Sequence, residues 1–481
     1  MVLEPWLTPS LFYQFLGRTS KWGNGAKDHI AIDSLTFCKA LGPKEANRQL
    51  RIHWRTWVTE DQIKNLAAIG VETLRIPVAD WMFEPYEPFI GCWDGSIDEL
   101  NRVLDLCWKY NLTALLDLHA LRGSQVGCLT FLCCFLFAPQ NGLDNSGDTG
   151  RYEWVGNASA DGVTHYRHWD MRGRTWAGFF DSAAQTFSVN TTAILSSLRV
   201  VQKIVSLYRE HPAVVGFQPG QSLSPDPSLF PDQSYPRIVN EPAQSIPFEV
   251  LAEYYWRSYQ LVRRQAPRWL VLLHDSFRLT PEYWGGSFLQ GCDHYAVDIH
   301  LYHAWDFDHP VDYFVGQACR EHEHLREMEL LGVPVVVGEW SLATDNCAMW
   351  LNGLNDNVPY FPKVKCDRVQ CPEPYFGRGL VPNAPPDPNT KIDPIGDGGP
   401  SYVEFGTCPV DRSYPNEIGD VKKFALAQLY SYDLFTHGFF FWNFRTELET
   451  RWDYQKVSTL DFCLETPSPY LFFALSFSIR R

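Results

Sequence analysis

The chain has 481 residues, 45% of them hydrophobic, 15% aromatic and 20% charged, a balance that can build a large core and excludes wholesale disorder. Forty-one basic against 56 acidic side chains leave a net charge of −15 with no sustained basic stripe, so nucleic acid is not an expected partner. The 18 Trp and 22 Tyr exceed what a core needs, and aromatic faces stack on the C–H faces of sugar rings, so the composition suits a carbohydrate ligand.

At the amino end Met1-Val2-Leu3 runs directly into Glu4, Pro5 and Trp6, so a signal peptide is not expected in this stretch. A helix is predicted over 59–69, where Thr59 and Glu60 supply start chemistry, apolar residues recur at helical spacing, and Gly70 is a stop. A strand over 72–76 follows, then a helix over 97–110 and a strand over 112–118 whose unbroken apolar run suits a parallel strand buried on both faces. The apolar run 126–138 is shorter than the roughly 20 residues that span a bilayer, so no membrane span is expected there. Beyond it the pattern predicts helix 194–210, strand 213–217, helix 248–265, strands 269–273 and 295–299, helix 311–330 and strand 334–337. Residues 344–419, with Cys366, Cys371 and Cys408, read as a surface excursion where disulfides would help; the chain's 13 cysteines leave at least one unpaired. Helix 421–436 and strand 439–442 complete the series.

Strands alternating with helices over this length imply either a closed parallel barrel or a doubly wound sheet. Polar residues fall at the carboxyl ends of many different strands: Arg75, His119, Glu241, His300, Tyr302, Glu339 and Trp442. That distribution is what a (β/α)8 barrel site requires, whereas a doubly wound sheet gathers its site at one switch point. The expected fold is therefore an α/β (β/α)8 TIM barrel with long βα-loop insertions, a single domain over 1–457, followed by an atypical tail at 458–481.

Glu241 lies in Val-Asn-Glu-Pro and Glu339 in Val-Val-Gly-Glu-Trp, two carboxylates each projected from a strand terminus. Glycoside hydrolysis needs two, one protonated to feed the leaving oxygen and one ionised to attack or to activate water. Asn240, His300 and Tyr302 would orient hydroxyls and the nucleophile, while Arg75 would hold Glu339 charged. Taken singly, each residue also has a plain structural reading: a helix cap or ion pair for either Glu, a satisfied core imidazole for His119 or His300, an ion-pair donor for Arg75, a core ring for Trp442. It is their joint occurrence at strand ends that favours a site.

The Asn-Glu-Pro and Glu-Trp pieces, with Leu-Arg-Ile-Pro-Val, Leu-Asp-Leu-His, Asp-Ile-His-Leu-Tyr and Phe-Phe-Trp, resemble glycoside hydrolase family 5. Leu-Glu-Pro-Trp-Leu-Thr-Pro-Ser at 3–10, Gly-Ser-Gln at 123–125, Asn-Gly-Leu-Asp-Asn-Ser-Gly at 141–147 and Arg-Trp-Asp-Tyr at 451–454 resemble more narrowly its fungal and oomycete exo-β-1,3-glucanases. The resemblance covers about residues 2–455. It implies a retaining hydrolase that releases glucose from the non-reducing end of β-1,3-glucan, with Glu241 as general acid/base and Glu339 as nucleophile. It further implies sugar-binding roles for Glu4, Arg75, His119, Asp144, Asn240, His300, Tyr302 and Trp442, no metal or cofactor, a monomer, and an extracellular or wall-associated protein. A catalytically silent glucan-binding protein and another β-glucanase or β-glucosidase specificity remain as alternatives.

Four departures from that pattern stand out. The resemblance leads one to expect most of a first barrel strand before Val2 to be absent; the segment 126–140 splits Gly-Ser-Gln from Asn-Gly; the Ser/Pro/Asp-rich segment 220–238 separates the fourth strand from Val-Asn-Glu; and the tail 458–481 is unlike the family's closing helix. Each insertion interrupts a motif that reads cleanly once it is deleted, which is the expected mark of a gene-model error.

Overall fold

The computed structural model describes residues 34–122, 152–154, 166–168, 176–181, 184–220, 246–278, 281–285, 288–303, 309–344, 418–445 and 450–459. Seven strands form one sheet in chain order: β1 (Thr73–Ala79), β2 (Thr113–Ala120), β3 (Val214–Gln218), β4 (Leu270–His274), β5 (Tyr295–Leu301), β6 (Val335–Trp340) and β7 (Phe439–Phe441). Every neighbouring pair is parallel. Helices α1 (Ser34–Leu41), α2 (Pro43–Trp57) and α3 (Glu60–Ala68) precede β1, and α4 (Ser96–Lys109) joins β1 to β2. The later crossovers carry α5 (Thr191–Tyr208), α6 (Phe248–Gln265), α7 (Val311–Leu330) and α8 (Ile418–Phe435).

Neighbouring strands in a sheet lie about 4.8 Å apart, so five steps across a flat sheet would put β1 and β6 about 24 Å apart. Instead Arg75 on β1 lies 2.7 Å from Glu339 on β6, with both side chains fully buried. The sheet is therefore rolled into a nearly closed barrel, as the alternation of elements predicts. Among the described residues the open edges are those of β1 and β7. Arg445, just past β7, bridges toward the β1 side: its guanidinium lies 3.7 Å from the Trp57 ring centre and donates to the Trp57 carbonyl at 3.5 Å. The expectations for the first strand, for 126–140 and for the tail beyond residue 459 fall on residues outside those described.

Local chemistry accounts for where the helices begin. Thr59 caps α3 reciprocally, its hydroxyl accepting from the Gln62 amide at 3.4 Å while its own amide donates to Gln62 Oε1 at 2.8 Å. Asn190 caps α5 by accepting from the Ala193 amide at 3.1 Å. The helices α6 and α7 coincide with the predicted 248–265 and 311–330. Strands instead run further than predicted, β1 to Ala79, β2 to Ala120, β5 to Leu301 and β6 to Trp340. Arg75, His119, His300 and Glu339 lie inside these strands, and Tyr302 and Trp442 directly follow theirs, because parallel pairing continues past the last apolar residue.

Alternation sorts the side chains. Leu74, Ile76, Val78, Leu116, Leu118, Val297 and Ile299 point outward and pack with Ile63, Leu66, Leu104 and Val201 of the helical layer. Leu115, Leu272, Ala296, Val336 and Phe440 point inward and form a separate plug within the barrel. Two short antiparallel pairs, Tyr152–Trp154 with Tyr166–His168 and Gly178–Asp181 with Thr186–Val189, occur between β2 and β3 and were not predicted.

Candidate active site

Above the apolar plug the inward positions become polar. A strand repeats every two residues, so Leu115, Asp117 and His119 share the inner face of β2, and Ala296, Asp298 and His300 that of β5. On β6 the same rule would send Glu339 outward, since Val336 and Gly338 face in. A shift in the pairing register between Val337 and Glu339 resets the alternation, turning Glu339 into the barrel and Trp340 into the outer core. Gly338 is required at that point: a Cβ there would lie 1.8 Å from Asp298 Oδ1.

Glu339 sits at the centre of the array. Arg75 Nη1 donates to its Oε1 at 2.7 Å and Tyr302 Oη donates to its Oε2 at 2.6 Å. His300 Nδ1 approaches Oε2 at 3.2 Å, an ion-pair distance whose angle lies outside hydrogen-bonding geometry. Arg75 is held in turn by Asp117 Oδ2 at 3.0 Å and by Gln218 Oε1, to which its Nε donates at 2.9 Å. Asp117 Oδ2 also contacts His119 Nδ1 at 2.7 Å. Gln218 passes the chain on, donating to Asp298 Oδ2 at 2.6 Å, and Asp298 Oδ2 meets His300 Nε2 at 2.9 Å. Trp442 lies beside His119, ring centres 5.9 Å apart, and its peptide bond to Asn443 is cis.

Such a buried network fixes charge. Burial by itself would raise the Glu339 carboxyl, but the positive charges of His300 and Arg75 outweigh it and lower the group from 4.5 to about 2. Arg75 is desolvated, which works against its charge, yet Asp117, Glu339 and Asp298 raise it above an ordinary guanidinium. Burial, reinforced by His300, Arg75 and His119, pushes His274 well below the usual imidazole range. An ionised, acceptor-only carboxylate held by two hydrogen-bond donors, with an imidazole at ion-pair distance, at the carboxyl end of a barrel is suited to attack an electrophilic carbon. Among the described residues no group of three His, Cys, Asp or Glu side chains is arranged to hold a metal ion.

Of the ten predicted site residues the structure brings together six, Arg75, His119, His300, Tyr302, Glu339 and Trp442. Glu4, Asp144, Asn240 and Glu241 lie outside the described residues, as do nearly all of 220–238 and 344–419. Sequence reasoning missed Asp117, Gln218, Asp298, His274 and Gly338. The Asp residues did carry a signal, because Leu-Asp-Leu-His and Val-Asp-Ile-His each place Asp two residues before His, on one face of a strand.

No family model matches the chain. A glucan 1,3-beta-glucosidase of Blumeria graminis is 26% identical over 472 residues, covering 95% of this chain and 83% of that protein. A probable glucan 1,3-beta-glucosidase A of Emericella nidulans is 27% identical, with 95% and 86% covered. The chain is a homologue of these fungal enzymes. A glucan 1,3-beta-glucosidase 2 of Saccharomyces cerevisiae extends the match to 98% of this homologue at 26% identity, covering 74% of the yeast protein. The fold is shared with a rutinosidase of Aspergillus niger, at a TM-score of 0.57 over 96% of each chain and 16% identity.

Proposed function

We propose that this chain is a glycoside hydrolase acting on β-glucan, and that it releases glucose from the non-reducing end with retention of configuration. The observation that carries the reading is the buried, ionised Glu339 held by Arg75, Tyr302 and His300. A Glu339 oxygen forms a bond to the anomeric carbon as the glycosidic C–O bond breaks, and Glu241 gives its proton to the departing oxygen. Glu241 then takes a proton from water, whose oxygen displaces Glu339 and frees the sugar. Asn240 and His119 hold sugar hydroxyls, Trp442 supports the ring being cleaved, and Glu4 and Asp144 grip the terminal glucose. The assignments of Glu241, Asn240, Glu4 and Asp144 rest on the motif resemblance.

Family resemblance supports an extracellular or wall-associated protein, and so does the disulfide between Cys38 and Cys92, a bond suited to oxidising compartments. No helix among the described residues is long and apolar enough to cross a membrane.

The test is glucose release from laminarin. The chain is expected to yield glucose as the β-anomer, detected by proton NMR at early times, and Glu339→Gln to lose at least about a thousandfold in kcat, the scale of removing a covalent nucleophile. Oligosaccharide products would overturn exo action, and an initial α-anomer would overturn retention. Laminarin binding without turnover, unaffected by Glu339→Gln, would overturn hydrolysis itself.

A further inference from the structure

Asp298 is buried, is itself assigned no contact with sugar, and yet joins two arms of the site. Its Oδ2 accepts from Gln218 Nε2 at 2.6 Å and lies 2.9 Å from His300 Nε2. An imidazole has two nitrogens, and here both face carboxylates: Nε2 toward Asp298 and Nδ1 toward Glu339 Oε2 at 3.2 Å. A neutral imidazole carries one N–H, so one of its two nitrogens would present a lone pair to a carboxylate oxygen. Only the doubly protonated ring gives both contacts the favourable sign.

We propose that Asp298 is a positioning residue whose carboxylate keeps His300 in the imidazolium form against Glu339. This rests on the reading of Glu339 as the nucleophile. The other groups around His300 set the balance it must meet. Arg75 reaches Glu339 from β1, Asp117 and His119 extend from β2, His274 presents its ring from β4 at 4.6 Å between centres, and Tyr302 donates to Glu339 from beyond β5. Arg75 and an imidazolium at His300 face Asp117, Asp298 and Glu339, so opposite charges nearly balance inside the barrel. His274 stays neutral, its Nδ1 accepting from the Ser276 amide at 2.9 Å, and adds no third cation. Gly338 serves the same purpose sterically, because any side chain there would displace Asp298 from His300.

The test is Asp298→Asn, an isosteric change that keeps an acceptor for His300 and removes the charge. Nitrogen-15 NMR of histidine-labelled protein, with His300 assigned by its loss in His300→Gln, should show both ring nitrogens protonated at pH 6 in the parent and one in Asp298→Asn. With an aryl β-glucoside, the acid limb of kcat/KM should move up by about one pH unit or more, a tenfold loss at fixed acid pH, while KM stays within about threefold. Asp298→Asn retaining the parent acid limb, or His300 singly protonated at pH 6 in the parent, overturns the proposal. A chain that turns over no glucoside and is indifferent to Glu339→Gln defeats the nucleophile reading instead, and the NMR result still decides the state of His300. Unchanged near-ultraviolet circular dichroism of Asp298→Asn separates this effect from misfolding; if that variant fails to fold, the parent spectrum alone decides.

Discussion

A methyl group at position 338 would sit 1.8 Å from an oxygen of Asp298, far inside van der Waals contact. Gly338→Ala is therefore expected to lower folding stability by about 1–3 kcal/mol, the usual cost of overfilling a packed interior, measured by urea denaturation. A wild-type midpoint would mean that Asp298 moves aside freely. Titration gives a second prediction at this scale. Glu339 is held at about 2 rather than 4.5, so its ion pairs contribute stability that is fully present above about pH 4.5 and lost as pH falls toward 2. His274 acts earlier. Its imidazole is held well below 6.5, so under pH 6.5 the unfolded chain binds a proton that the folded chain refuses, and stability declines with acidification. Urea midpoints should fall between pH 7 and 5, and fall less in His274→Asn, whose amide oxygen can still accept from Ser276. Equal slopes would assign the decline to other groups.

At the scale of elements, legibility followed periodicity. The helices α6 and α7 were readable to the residue because long amphipathic repeats end where Pro or Gly forbids continuation. The capping of α3 is partly readable too: Thr59 reads as a start, whereas the reciprocal bond from its amide to Gln62 Oε1 does not follow from its type alone. Thr59→Ala should destabilise by about 1 kcal/mol in thermal or urea denaturation, and Thr59→Ser much less, because serine keeps the oxygen that accepts from the Gln62 amide. The register shift in β6 was not readable. Val-Val-Val-Gly-Glu-Trp contains no mark that tells an inward Glu from an outward one, and strict alternation gives the wrong answer for Glu339. What decides its direction is pairing with β5 and β7, a tertiary fact. The same holds for Gln218, which reads as one polar residue in Gly-Phe-Gln-Pro until the rolled sheet brings Arg75 and Asp298 to it from opposite sides.

For the molecule as a whole, the barrel was legible because seven buried apolar runs alternate with helices, but the way its edges are tied together was not. Cysteine counting gave only an odd total, and the pair formed by Cys38 and Cys92 was not anticipated: the two are 54 residues apart, one in α1 and one in the segment ahead of α4. That bond ties the helices that precede β1 to the crossover that follows it, on the same side where Arg445 clasps Trp57 from β7. Cross-links of this kind act chiefly by restricting the unfolded chain, and a loop of this length should contribute about 2–4 kcal/mol. The double variant Cys38→Ser/Cys92→Ser should therefore melt several degrees below the parent, and dithiothreitol should lower the parent's melting point toward that of the variant. Arg445→Ala should act through a different route, with a smaller loss of about 0.5–2 kcal/mol from the cation–π contact, undiminished by reductant. If the two losses add in the triple variant, the clasp and the disulfide secure the barrel edge independently; if the triple variant loses no more than the disulfide variant, the clasp forms only when the disulfide has already set α1 and α2 in place.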